Sequence, residues 1–163
     1  MSVDEPMTTP AGKARLARLP RLLTDTPVFF VTACTHERKR ILANAELHAA
    51  FRDFALQGAS HGAFVGRYVL MPEHVHLFVA FAPQSIAISD WMKSLKNSLS
   101  RTFRQQNVAP PHWQKGFFDH VLRSEESYAK QWEYVAENPV RAGLVQSADN
   151  WPYQGEIHVL EKL

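Results

Sequence analysis

His74 and His76 stand two apart in Leu70-Met71-Pro72-Glu73-His74-Val75-His76-Leu77-Phe78-Val79-Ala80. The flanking run is apolar and strand-like. Alternate side chains of a strand share a face, so both imidazoles can converge on one metal ion. Neutral imidazole is the commonest protein metal ligand. A second polar set recurs at helical spacing further along. Ser127, Gln131, Tyr134 and Asn138 stand at i, i+4, i+7 and i+11, while Tyr128, Trp132 and Val135 form an apolar stripe. The stripes make Tyr128 a core candidate and Tyr134 the presented phenol. Tyr134 and Asn138 are one turn apart, roughly 6 Å between Cβ atoms. A phenol and an amide carbonyl can both reach a metal held by His74 and His76.

These groups need a scaffold that brings a strand beside a late helix. Residues 28–35 are rich in β-branched and aromatic side chains and predict a strand. Residues 45–57 predict a helix, with Asn44 as N-cap, Leu47, Phe51 and Phe54 on one face, and Gly58 after the last turn. Residues 63–70 and 74–81 predict two strands joined as a hairpin by Met71-Pro72-Glu73. On the second strand, Val75, Leu77, Val79 and Phe81 face one way, and His74, His76, Phe78 and Ala80 the other. Residues 86–106 predict an amphipathic helix with an apolar stripe of Ile88, Met92, Leu95, Leu99 and Phe103. Lys93, Lys96, Arg101 and Arg104 make another face that is nearly free of acids. Residues 112–123 predict a fourth strand with Gly116 at a bulge. Residues 125–138 predict the last main helix, capped by Ser124 and ended by Pro139. The order β-α-β-β-α-β followed by a helix is the α+β, ferredoxin-like split βαβ pattern. Its crossover helices cover one face of an antiparallel sheet and leave the other open for the final helix or a ligand.

The chain of 163 residues is 45% apolar and 21% charged, an ordinary composition for one domain. Its net charge of +2 barely favours an anionic partner, so local clusters must carry that argument. Residues 1–10 read as a disordered leader and residues 11–23 as a basic arm. Lys13, Arg15, Arg18 and Arg21 of the arm have no acid among them, a pattern suited to phosphates. Residues 24–163 form the expected catalytic domain. Cys34, the only cysteine, cannot form an internal disulfide and reads as a buried thiol. With no signal peptide and no apolar run of membrane-spanning length, a cytoplasmic protein is expected.

The blocks also resemble a known family. Met71-Pro72-Glu73-His74-Val75-His76-Leu77 resembles the H-hydrophobic-H signature of the HUH single-tyrosine transposases. Tyr134-Val135-Ala136-Glu137-Asn138-Pro139-Val140-Arg141-Ala142-Gly143-Leu144-Val145 resembles the tyrosine block of their REP-associated branch. Phe29-Phe30-Val31-Thr32-Ala33-Cys34-Thr35 and Trp113-Gln114-Lys115-Gly116-Phe117-Phe118-Asp119-His120 resemble two further blocks in family order.

The resemblance implies a ferredoxin-like domain with a tyrosine-bearing helix on the open face. It implies cleavage of single-stranded DNA beside hairpins, with Tyr134 as nucleophile and a 5′-phosphotyrosine intermediate. His74, His76 and Asn138 map onto the ligands of a divalent metal, Mg²⁺ or Mn²⁺, and Asn138 replaces the Gln of many relatives. The arm cations, with Lys93, Lys96, Arg101 and Arg104, are the expected DNA contacts. A partner in single-stranded hairpin DNA, no small-molecule cofactor, and a monomer in preference to a homodimer follow from the same likeness. Two other readings compete. One is a domesticated hairpin-binding protein that does not cut, for which the set His74, His76, Tyr134 and Asn138 is unnecessary. The other is a small hydrolytic or oxygen-using metalloenzyme, which leaves the basic segments without a role.

Overall fold

The computed structural model describes residues 26–160. The basic arm with Lys13, Arg15, Arg18 and Arg21 lies outside them. The described elements are β1 (Val28–Cys34), α1 (Ala45–Gly58), β2 (Ala63–Leu70), β3 (His74–Phe81), α2 (Ile88–Gln105), β4 (Phe118–Leu122), α3 (Glu125–Ala136), α4 (Asn138–Arg141) and β5 (Gln154–Glu156). The strands form one sheet in the order β4-β1-β3-β2-β5, and each neighbouring pair is antiparallel. Strand β3 lies between β1 and β2, which are joined through α1. This is the expected split βαβ arrangement.

Two cores follow from the strand alternation. Val31, Ala33, Val65, Val75, Leu77 and Val79 meet Leu47 and Phe51 of α1 and Met92, Leu95, Leu99 and Phe103 of α2. On the other face, Val28, Phe78, Ala80 and Leu122 pack with Tyr128 and Trp132 of α3. Val69 and Met71 pack with Val135 and Trp151. Helix α1 starts where Asn44 Oδ1 accepts the Leu47 amide at 3.0 Å. The same oxygen accepts from Gln106 Nε2, so the cap also ties α1 to the end of α2.

The tyrosine helix is seated by a defect in the sheet. Gly66 and Arg67 together oppose Phe78, because the β2–β3 register shifts between Val65 and Tyr68. This two-against-one bulge frees the Arg67 amide. That N–H donates to Tyr128 Oη at 3.2 Å, while the Tyr128 ring sits 4.5 Å from the Phe78 ring. Arg67 also lies over Trp132, 5.4 Å from the ring centre, and pairs with Glu156 of β5 at 2.8 Å.

Four local expectations are corrected. The fourth strand covers only Phe118–Leu122 instead of 112–123. Before it, Thr35 and Trp113 make an isolated bridge, and Gly116 sits at φ +80° in a turn, not at a ladder bulge. Gly58 belongs to α1, and the chain turns away at Gly62, whose φ is also +80°. Helix α2 runs over Ile88–Gln105, shorter at both ends than residues 86–106. Helix α3 ends at Ala136, and Asn138 opens the short α4, since Pro139 is tolerated at the start of a helix. Strand β5 has no counterpart in the sequence reading. Its Gln-Gly-Glu stretch carries no hydrophobic alternation, so pairing with β2 creates it.

Gly66 tests the docking of α3. A Cβ there would stand 2.9 Å from Tyr128 Oη and 2.7 Å from Leu160 Cδ1. Gly66→Ala is expected to cost about 1–3 kcal/mol of stability, measured by urea unfolding, as for other overpacked sites. Wild-type stability in that variant would show that the bulge does not constrain the helix.

Candidate active site

Register places both histidines on the open face. Thr32 pairs with His76 and Cys34 pairs with His74 across β1 and β3. The imidazole centroids are 4.6 Å apart. Each ring is oriented through Nδ1. Glu73 Oε1 lies 3.1 Å from His74 Nδ1. A carboxylate only accepts, so His74 carries its proton on Nδ1 and keeps the Nε2 lone pair. Thr32 Oγ1 lies 2.8 Å from His76 Nδ1, and the Phe30 ring stacks on His76 at 5.3 Å. Glu73 and Thr32 thus fix the ring planes; the Nε2 lone pair is free on His74, and it is free on His76 when the His76 Nδ1–H donates to Thr32 Oγ1.

Burial, then the neighbouring His74 and the cations Arg141 and Arg38, hold His76 down at about 3. Burial also lowers His74, and Glu73 opposes that shift. Both rings are therefore neutral at neutral pH, the form a metal needs.

The helix supplies the other groups. Val135 is buried, whereas Tyr134 is 64% exposed and projects from the same helix. Tyr128 instead packs on Phe78 and accepts the Arg67 amide, and burial pushes its phenol up to about 12. Arg141 joins the two functional positions. Its Nη2 donates to the Tyr134 carbonyl at 2.6 Å and to Asn138 Oδ1 at 2.8 Å. Its guanidinium lies 4.2 Å from the centre of the Tyr134 ring. Asn138 Nδ2 is buried without a partner, and Oδ1 keeps a second lone pair beyond its bond to Arg141. Two neutral imidazoles and one amide oxygen are a donor set that suits a divalent ion. Among the described residues no three His, Cys, Asp or Glu side chains cluster as ligands. Asn138, on the short α4 that follows the tyrosine helix, carries the amide oxygen that Arg141 ties to the Tyr134 carbonyl.

A second cation approaches from β1. Arg38 donates through Nη1 at 3.2 Å to Sγ of Cys34, the strand partner of His74. It sits in a turn where Glu37 and Arg38 both have positive φ, 52° and 55°. Such conformations are costly for residues with a Cβ and concentrate at functional sites.

The predicted basic face of α2 is divided. Helix α2 packs on the sheet face opposite the histidines. Lys93, Arg101 and Arg104 are exposed there. Lys96 instead donates to the carbonyls of Gln114, at 3.0 Å, and Gly116, and it pins the loop before β4. The four cations do not line the histidine site as one surface.

Comparison with known proteins decides the family. The family described as Transposase IS200 like matches residues 28–138, which include both histidines, Tyr134 and Asn138. The chain belongs to the IS200-like transposase family. A REP-associated tyrosine transposase of Escherichia coli is 25% identical over 89 residues, 55% of this chain and 52% of that protein. The chain therefore spans about half the length of this relative. A Haemophilus influenzae protein provisionally assigned to the same group is 24% identical over 144 residues, covering 82% and 81% of the two chains. The solved structure of a REP-associated tyrosine transposase bound to a REP hairpin superposes with a TM-score of 0.66 at 20% identity. It covers 80% of this chain and 76% of that one. The fold of this chain is thus that of the solved REP-associated relative.

Sequence reasoning missed the roles of Thr32, Glu73, Arg38 and Arg141. Arg141 had a signal, since it follows Tyr134 by seven residues and Asn138 by three, both helical neighbours. Thr32 is 44 residues from His76 and had none.

Acid should weaken the folded protein through His76. The unfolded chain takes up that proton near pH 6.5, but the folded chain only near pH 3. Stability is expected to fall as pH drops through this window and to level off below it. Urea midpoints from pH 7 to pH 3 should fall less steeply for His76→Leu. Equal slopes would place the buried proton site elsewhere.

Proposed function

We propose that this protein is a metal-dependent endonuclease and strand transferase for single-stranded DNA beside hairpins, with Tyr134 as nucleophile. The observation that supports the reading is a pair of neutral, Nδ1-anchored imidazoles, one of them under the field of Arg141, the same guanidinium that lies over the ring of exposed Tyr134. Tyr134 Oη attacks a backbone phosphorus and loses its proton to solvent. The bond from phosphorus to the 3′-oxygen breaks, and that oxygen leaves as a 3′-hydroxyl. The 5′-phosphate stays on Tyr134. A 3′-hydroxyl attacking this phosphotyrosine reverses the step and joins strands without ATP, because the diester is preserved.

His74, His76 and Asn138 would hold the ion, Mg²⁺ or Mn²⁺, with imidazole ligands leaning towards Mn²⁺ in affinity. Such an ion, when bound, supplies charge stabilisation at the phosphate. Glu73 and Thr32 hold the imidazoles at a fixed orientation. Arg141 and Arg38 bring permanent positive charge to the reacting phosphate. Lys13, Arg15, Arg18 and Arg21, which lie outside the described residues, and the exposed Lys93, Arg101 and Arg104 offer contacts to the DNA backbone, and Lys96 acts through the loop it pins. The solved relative's REP hairpin supports hairpin DNA as the partner. A hairpin-binding protein that does not cut is the alternative. It gives no reason for neutral, preoriented histidines in a chain that also exposes a tyrosine under a guanidinium.

Incubating labelled single-stranded hairpin DNA with the protein and Mn²⁺ should yield an adduct that resists denaturant. Tyr134→Phe is expected to abolish it, and Tyr128→Phe to retain it. The opposite pattern would assign the nucleophile to Tyr128, and no adduct in any variant would favour the non-cutting alternative. Removing the carboxylate that orients His74, as Glu73→Ala, should weaken Mn²⁺ binding by about 10–100-fold in calorimetric titration. Unchanged affinity would remove Glu73 from the site.

A further inference from the structure

Phe118 is 72% exposed, on the first residue of edge strand β4. An uncovered aromatic on a sheet edge invites aggregation and has a use where it persists. Its place in the register is informative. Phe118 pairs with Thr32, and Thr32 pairs with His76 on its other side. The three side chains form one row on the open face. Adjacent strands are about 4.8 Å apart, so Phe118 stands about 10 Å from His76. That separation is about the reach of one nucleotide.

A cleft of about 180 Å³ opens beside this ring, bordered by Thr32, Cys34, Gln114, Lys115 and Phe118. It is smaller than the ~300 Å³ of ordinary small-molecule pockets and suits one planar group. Its wall is built, not incidental. The Gln114 amide donates to the Cys34 carbonyl at 2.9 Å, and Lys96 binds the Gln114 and Gly116 carbonyls from below. Arg38, bonded to Cys34, and Lys115 add positive charge at the rim. An aromatic plate, an amide and flanking cations are the features that bind single-stranded nucleic acid through a stacked base and its phosphates.

We propose that Phe118 is the stacking platform for one unpaired nucleobase next to the scissile phosphate, with Gln114 facing that base's edge. This deepens the nuclease reading and rests on it. It requires that the nucleotide be unpaired, since a base inside a duplex presents no free face. Phe118 is thus a specificity-determining contact, not a catalytic residue.

The test is a cycle between protein and DNA in the uncleavable Tyr134→Phe background. A single-stranded REP-type hairpin with unpaired flanks, the kind of DNA bound by the solved relative, is made with one abasic site at each position in turn, and affinity is measured by fluorescence anisotropy. At one position beside the cleavage site, base removal should weaken binding about tenfold, the scale of one base–aromatic stack. Phe118→Ala should weaken the intact hairpin equally and lose sensitivity to that abasic site. Phe118→Trp should restore it. Independent losses at every position would overturn the platform, including the case in which another segment of the chain covers Phe118. The adduct assay with Tyr134 intact reports separately, so a nuclease without a Phe118 platform is distinguishable from a protein that does not cut.

Discussion

The hydrogen-bonded register between β1 and β3 sets the geometry of the whole site. Thr32 can reach His76, and Cys34 can neighbour His74, only in the alignment that also buries Val75, Leu77 and Val79 against α1 and α2. A slip of one residue would turn the histidines into that core and expose the apolar set. Each fully buried valine or leucine resists exposure by about 1.5–3 kcal/mol. The crossover core thus holds the histidines in place, although it contains none of the chemistry.

Burial then fixes their charge state. The open face is apolar around Phe30 and Phe78, and an imidazolium there would lose hydration. Arg38 and Arg141 press in the same direction, and Glu73 is the acid that hydrogen-bonds at the pair. A positive setting keeps the ligand atoms unprotonated and at the same time attracts a phosphate. The two guanidiniums, one on the turn after β1 and one on α4, add to burial in the first effect and carry the second.

The helix is presented by an irregularity in the sheet. A regular β2–β3 ladder would spend the Arg67 amide on a strand partner. The bulge spends it on Tyr128 Oη and so sets the height of α3 over Phe78. With Tyr128, Trp132 and Val135 turned inward, helical geometry leaves Tyr134 outward. Arg141 then links the end of α3 to Asn138, so Tyr134 and Asn138 share one anchor.

Alternation in β3 and the two stripes of α3 were legible in the sequence, because each depends only on the repeat of its own element. They determined that His74 and His76 share a face, that Tyr128 is inward and Tyr134 outward, and that the order of elements is ferredoxin-like. The Asn44 cap was legible for the same reason. The partners of those groups were not. Thr32 meets His76, Arg67 meets Tyr128, and β5 exists beside β2 only through contacts between residues 44 to 89 positions apart. The helical face of Lys93, Lys96, Arg101 and Arg104 was visible as a pattern, but which side of the sheet it covers was decided by packing. Local periodicity is a property of a segment, whereas register, bulges and edge pairing are settled by what another segment leaves unburied or unbonded.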